Sequence, residues 1–571
     1  MREVGEQARS RDHAAAAVRS HNWAYWASRV AVAVLVPVAL LIATEGALRI
    51  AGVGTPASIL RACTVNGRLA FCDNQYFTKT FFPPGVLRTA APFAIPAEKP
   101  PGTFRIFILG ESAAYGDPDP TFGFSRYLDV MLRERFPSIK FEIINAGITA
   151  INSNAILPIA RDLADHQPDL FIIYAGNNEV IGPFGAGTVF TSAALSLPAI
   201  RTSIFLRSTR IGQLVQKLIP PSSKGPRRWE GMEMFLNQQV PASSPLMEHT
   251  YRNFAGNLSD IITAARNSGA KVLVSTVATN LRDCAPFASL HRAGMRPKDL
   301  RSWSDLVQQG MALEDAGSYA QALKQYLAAA EIDPDYAELQ FRIARCLWAL
   351  GDFAAAQERF VRAQDLDTLR FRADTRINDI IRSAASKNGS AVELVDAAQT
   401  FAKESPHGVP GRELFYEHVH LNPRGNYVLA RALFARIAAM LPPGTAHPAA
   451  NDSVLPEADC ERLLAFTSFD RARIARDVVE RLERPPFTNQ LNHDEEVSNM
   501  MSQAELPAES YEQTEAEYRW AIARDPEDRL LHLNYGFFLH HRDRQAADQQ
   551  FSIARPYDNP PYLCNWKRHL N

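Results

Sequence analysis

The sequence predicts an α/β fold: a mostly parallel β-sheet with helices on both faces, in three layers, interrupted by helical repeats and preceded by one apolar helix. Three observations carry that prediction. Short apolar runs rich in β-forming residues alternate with amphipathic stretches, the pattern of strands joined by crossover helices. Each run stops in small or amide residues, so the strand ends should share one polar rim. Between about residues 301 and 370 the pattern changes to a 34-residue repeat.

With 571 residues the chain is too long for one core, and roughly two to four domains are expected. Its net charge of -1 gives no electrostatic reason to expect nucleic acid as a partner. Hydrophobic residues make up 46%, which is ordinary for a globular chain, so any membrane signal must be local.

Residues 30–48 supply that signal. Glu45 is their only charge, and the run is roughly as long as a bilayer-spanning helix. Trp23, Tyr25 and Trp26 precede it as an interfacial belt would. The segment 1–29 carries Arg2, Arg9, Arg11, Arg19 and Arg29, so the positive-inside rule places the N-terminus in the cytoplasm and the remaining chain outside. The long polar lead favours an uncleaved signal-anchor over a cleaved signal peptide. Six cysteines fit an oxidising compartment without demanding one. Cys63 and Cys72 flank a short polar loop, Cys284 and Cys460 sit in loop-like sequence, and Cys346 reads as a packing residue. Two disulfides are possible and their pairing is open.

Residues 49–102 are Pro-rich and read as an extended linker. The α/β domain begins at 103 and runs to 300. Its first strand, 104–109, breaks at Gly110 and delivers Ser112 to the strand's carboxyl end, where open α/β sheets place their chemistry. A helix over 124–136 follows. A strand at 141–144 leads to Gly147, a helix covers 153–165, and a strand at 170–174 leads to Asn177, Asn178 and Glu179. A fourth strand, 271–276, runs towards Asn280.

Gly317, Tyr319, Ala322, Tyr326, Ala329 and Asp333 then recur as Gly351, Phe353, Ala356, Phe360, Ala363 and Asp367, the tetratricopeptide period. These repeats, 301–370, are expected to sit between the fourth and fifth strands, because a helix over 377–385 and a strand at 391–395 resume the α/β pattern through 371–442. Glu417, His418 and His420 come next. Asn422 as N-cap and Pro423 at the first helical position announce a helix to about Met440. A connecting segment, 443–505, leads to a weaker repeat over 506–555, in which Tyr511, Tyr518, Ala521, Asp525 and Pro526 match Tyr319, Tyr326, Ala329, Asp333 and Pro334.

A serine nucleophile needs a base, a group that orients the base, and donors aimed at the developing oxyanion. Ser112, Gly147, Asn178 and His420 stand at four turns, with Glu417 three residues before His420. Gly110-Glu111-Ser112 lacks the second glycine of a nucleophile elbow, and the acid lies beside the histidine instead of far upstream.

The set resembles the SGNH, or GDSL-like, hydrolase superfamily, with Gly110-Glu111-Ser112, Gly147, Gly176-Asn177-Asn178-Glu179 and Glu417-His418-Val419-His420 standing for its four blocks. The resemblance implies a catalytic Ser112, His420 as general base and Glu417 as its orienting acid. The backbone N–H groups of Ser112 and Gly147 and the side-chain amide of Asn178 would form the oxyanion hole. Glu111, Glu179 and Glu417 stand where that family usually has Asp, and His418 competes with His420 for the role of base. The expected activity is hydrolysis of small acyl esters on envelope carbohydrate or lipid through an acyl-Ser112 intermediate. No metal or organic cofactor is expected. The protein would be a single-pass inner-membrane protein with a periplasmic catalytic domain, its repeats docking a protein partner or framing the substrate. Two rivals remain: an O-acyltransferase on the same machinery, and a scaffold acting through its repeats.

Overall fold

The computed structural model describes residues 3–191, 196–218, 226–441, 454–505 and 509–558, and of residues 3–24 only the backbone. It divides into two compact units. One comprises 1–57 with 202–222, and the other 58–201 with 223–571.

In chain order, helix α1 (Glu3–Ile50) contains an apolar stretch, Tyr25–Ile50, of mean hydropathy 2.2 whose most apolar window is wholly unburied. The linker expected to be extended instead contains a three-stranded antiparallel sheet: β1 (Leu60–Val65), β2 (Arg68–Asp73) and β3 (Ala94–Pro96). Asn66 and Gly67, both at positive φ, form the two-residue turn whose twist matches a β-hairpin. A Cys63–Cys72 disulfide crosses that hairpin, while Cys284, Cys346 and Cys460 are free and buried.

The main sheet has five strands, all parallel: β4 (Thr103–Gly110), β5 (Lys140–Asn145), β6 (Leu170–Tyr174), β7 (Lys271–Ser275) and β8 (Val392–Val395), in the order β5-β4-β6-β7-β8. Every residue of β4 and β6 is buried, which is why both read as continuous apolar runs without alternation. Helices α2 (Ser112–Tyr115) and α3 (Phe124–Arg135) link β4 to β5, and α4 (Ser153–Ala164) links β5 to β6. After β6 come α5 (Leu197–Ser208), α6 (Arg210–Leu218) and α7 (Pro245–Asn267).

Between β7 and β8 lie the repeat helices α8 (Pro297–Asp315), α9 (Tyr319–Ile332), α10 (Ala337–Ala349) and α11 (Phe353–Leu366), then α12 (Thr375–Asn388). The matched repeat residues Ala322, Tyr326, Ala329, Ala356, Phe360 and Ala363 are all buried. Gly310 faces Tyr326 so closely that a Cβ there would lie 2.4 Å from its ring, so the α8–α9 crossing requires glycine. After β8 come α13 (Ala397–Glu404) and α14 (Pro423–Met440). The connecting segment holds α15 (Glu457–Leu463), α16 (Ser468–Leu482) and α17 (His493–Ala504). The segment expected to hold the C-terminal repeat contains α18 (Tyr511–Arg524), α19 (Arg529–Leu539) and α20 (Arg544–Ile553). Residues 442–453 and 506–508, within those two expected segments, lie outside the described residues.

Helices α3, α13 and α14 pack together, as do α4, α7 and α12. Right-handed crossovers require this partition, because the chain leaves β4 for β5 on one side and then passes back across β4 to β6 on the other. The carboxyl end of β4 is therefore the switch point of the sheet, and Ser112 stands there.

Candidate active site

The turn carrying Ser112 is built by close approach. Gly110 ends β4 where a Cβ would lie 2.1 Å from the Tyr174 carbonyl oxygen. Gly116 closes α2 at φ 96, a left-handed C-cap that glycine adopts without strain. Ser112 opens α2, so its backbone N–H belongs to the first turn, where a helix has no internal acceptor.

Glu111, 1% exposed, points beneath this turn to the next. Its carboxylate accepts the backbone N–H groups of Gly176 (3.2 Å), Asn177 (2.8 Å) and Asn178 (3.2 Å). This fixes the loop after β6, and leaves the Asn178 side-chain nitrogen buried with no hydrogen-bond partner. Glu179, 4% exposed, accepts the backbone N–H and hydroxyl of Ser153, both at 2.8 Å. Burial raises Glu179 to about 7. Burial and then the neighbouring Glu179 raise Glu111 well above the usual carboxylate range, against the pull of its three N–H donors.

Gly147 approaches the Ser112 helix so closely that a Cβ would be 2.7 Å from the Tyr115 backbone nitrogen. Its own N–H donates to Asn145 Oδ1 at 3.0 Å, so this expected oxyanion donor already has an acceptor. Asn145 also donates through Nδ2 to the Ala114 carbonyl at 2.7 Å, tying the end of β5 to α2. On the same loop Ala150 has φ 61, a strained value for a residue with a side chain.

Glu417, His418 and His420 form a tight loop closed by the Tyr416 N–H to the His420 carbonyl (2.9 Å). Asn280, beyond β7, holds it by donating its backbone N–H to the His418 carbonyl and its side-chain N–H to that of Glu417, both at 2.9 Å. Within it, Glu417 divides its carboxylate between two imidazoles: Oε1 meets His420 Nδ1 and Oε2 meets His418 Nδ1. His420 Nε2 is buried with no hydrogen-bond partner. His418 lies edge-on to Phe287 and Phe487, with ring centroids 5.5 and 5.8 Å away, and burial lowers its pKa, favouring the neutral ring. Burial alone would raise Glu417, but His418 and His420 hold it well below the usual carboxylate range.

Two residues unmarked in the sequence join these loops. Arg481, on α16, donates from Nη1 to Glu417 Oε1 (3.0 Å), where it also lies 2.9 Å from His420 Nδ1, and from Nη2 to Asp117 Oδ1 (2.5 Å). Asp117 follows the Ser112 helix and its N–H bonds the Ser112 carbonyl at 3.0 Å, so one guanidinium bridges the serine turn to the histidine loop. Arg481 lies in the connecting segment, which offers no motif. Only the Thr467/Asp470 capping box marks its helix, and nothing local marks its target. Arg88, in the expected linker, donates from Nε to Thr149 Oγ1 (2.6 Å) and stacks 4.3 Å over Trp229.

Among the described residues, Glu417, His418 and His420 are also the group whose donor atoms could hold a metal, lying within 4.8 Å of one another. Ligation through the atoms now paired would break both imidazole–carboxylate contacts.

A tetratricopeptide repeat family model matches residues 313–371. No curated protein matches the chain. Among solved structures, an acetyl xylan esterase, AlAXEase, is similar over 58% of this chain and 100% of its own, with 12% identity and a TM-score of 0.28. TesA is similar over 31% of this chain and 62% of its own, with 16% identity and a TM-score of 0.18. Both likenesses are too loose to assign a fold or an activity. The chain thus combines a five-stranded parallel α/β unit, a tetratricopeptide region and one apolar N-terminal helix.

Proposed function

We propose that the α/β unit is a serine ester hydrolase of the SGNH type. It acts on small acyl esters of envelope carbohydrate or lipid, is anchored by α1 with its catalytic unit outside the cytoplasm, and uses its repeats to dock a protein partner. The observation that carries this reading is the pair of buried, unpartnered nitrogens, His420 Nε2 and Asn178 Nδ2. Most buried polar atoms in a folded protein have a hydrogen-bond partner, and these two belong to the same loops as the other candidate residues.

In this reading Ser112 Oγ attacks the acyl carbonyl while His420 Nε2 takes its proton. Glu417 holds Nδ1–H and favours the imidazolium that forms. The oxyanion faces the Ser112 N–H and the Asn178 amide, and the Gly147 N–H joins them only by leaving Asn145. The tetrahedral intermediate collapses as His420 returns the proton to the departing alkoxide. Water then repeats the sequence on acyl-Ser112, releasing the acid and restoring the serine.

The test is release of 4-nitrophenol from its acetyl ester by the full-length chain in detergent micelles, beside a Ser112→Ala variant and a fluorophosphonate probe. Turnover and labelling that both vanish with Ser112 are expected. Equal rates in the two proteins with no labelling would overturn the reading.

A further inference from the structure

We propose that the apolar stripe of helix α6 lies in the surface of the lipid bilayer, beside the point where α1 leaves it. The proposal rests on reading α1 as the membrane span. In α6, Ile211, Leu214, Val215 and Leu218 fall at the i, i+3, i+4, i+7 spacing of a single helical face. Beyond the half-buried Ile211 that face is bare: Leu214, Val215 and Leu218 are 40%, 49% and 77% exposed, and Phe205 and Leu206, just before the helix, are 66% and 55% exposed. Large apolar side chains grouped this way mark a surface made to meet an apolar partner.

The partner is identified by how α6 is fixed. Glu45, the only charge in residues 30–48, accepts the backbone N–H groups of Arg210 (3.0 Å) and Ile211 (3.1 Å) and so caps the start of α6. Thr209 completes the cap by accepting the Gly212 N–H at 2.9 Å. On the polar side of α6, the Gln213 side chain exchanges two hydrogen bonds with the Thr55 backbone, at 2.8 and 2.9 Å. A carboxylate inside an apolar span is costly unless its acceptors are satisfied, and here helix N–H groups and Arg49 (2.8 Å) satisfy it.

Glu45 lies three residues before the end of the apolar run, so at ~1.5 Å per residue α6 starts about 5 Å inside it. That is the depth at which amphipathic helices lie in the interface, roughly 5–10 Å into the headgroup boundary. Lys217, exposed beside the stripe, can extend its charge to the headgroups. The stripe is thus held at the level of the bilayer surface by the helix that would cross it.

The test places a single NBD fluorophore on cysteine in the full-length chain, reconstituted into vesicles of phosphatidylcholine and phosphatidylglycerol at 3:1. The free cysteines 284, 346 and 460 are buried, and Cys564, outside the described residues, is replaced by serine. Labels go at Leu214→Cys and Leu218→Cys on the stripe, Gln216→Cys off it, and Val34→Cys within the span. Quenching by brominated lipid at positions 34, 214 and 218, with iodide quenching at 216, is expected. Quenching by lipid at 34 while 214 and 218 answer only to iodide overturns the proposal and leaves the anchor standing. Stripe labels shielded from both quenchers overturn it in favour of a protein cover such as a second copy. Labels at 34 that ignore the lipid overturn the anchor, and the proposal with it. Because these positions are exposed, substitution there leaves the core undisturbed.

Discussion

The two sides of the candidate site bury the same chemical group in opposite electrical states. Beneath the serine turn, Glu111 meets three backbone N–H groups and a second carboxyl, Glu179, and both are raised. In the histidine loop, Glu417 is just as deeply buried but meets two imidazoles and Arg481, and is lowered. Burial pushes every one of these carboxyls towards its neutral form, so the difference comes from partners: peptide dipoles soften the desolvation, whereas the two imidazoles overcome it. A carboxyl kept near neutrality can organise a loop without repelling an oxyanion. A carboxylate kept charged can orient a base and stabilise its protonated form.

The largest expected effect comes from removing the charge on the histidine side. Glu417→Gln keeps the shape but offers each imidazole an amide, and one Nδ1 then faces an N–H. Loss of the orienting acid in a serine–histidine site is worth on the order of 10⁴-fold in kcat. Steady-state kinetics on 4-nitrophenyl acetate should show a fall of that order with KM little changed, whereas Glu111→Gln should act chiefly on stability. Comparable kcat losses in the two variants would erase the distinction between orienting and organising glutamates.

The next effect belongs to Arg481. Arg481→Gln leaves Glu417 and Asp117 to share the site without their cation, and losing a charged hydrogen bond costs about 1.5–3 kcal/mol. The side chain is 28% exposed, so water restores part of that and the lower end is expected. That lower end corresponds to a kcat loss of roughly tenfold, which should be partly restored by Arg481→Lys. Thermal unfolding beside kinetics separates the two roles. An Arg481→Gln protein with lowered Tm but full kcat would make the guanidinium a strut between loops.

What could be read from the sequence follows the same division. Runs of buried β-formers announced all five strands of the main sheet, and the turns after β4 and β6 carry Ser112 and Asn178, while the Glu417–His420 loop lies between α13 and α14. Local signals sufficed because strands and turns are local. The 34-residue period did the same for the repeats, which the family model also matches. Arg481 and Asp117 were illegible because their contact joins residues 364 positions apart and leaves no spacing to detect. The hairpin at 60–73 hid behind prolines that flank it, although Asn66-Gly67 was its signal. Gly147 shows a subtler limit. Sequence marks a glycine at the right turn, but its N–H is committed to Asn145 and its visible purpose is the close approach to Tyr115.

The smallest effect tests the comparison through pH. Glu179 is raised in the folded protein to about 7, so folding takes up a proton there that the unfolded chain releases near its ordinary value of 4.5. Its stabilising contribution is therefore complete below that ordinary value and fades as pH rises through about 7. Glu417 has the opposite sign: its folded pKa lies well below 4.5, so its contribution is present above 4.5 and is lost on acidification. Glu179→Gln mimics the protonated acid and can still accept the Ser153 N–H and pair with its hydroxyl. Its Tm relative to the parent should therefore climb between about pH 5 and pH 7 and then level off, because over that window the parent's unfolded chain releases the proton that its folded state keeps. For Glu417→Gln, followed over the acid range below that one, the relative Tm should instead fall as pH rises towards 4.5 and stay level above it. Two curves of the same sign would mean that burial, and not the partners, governs both glutamates.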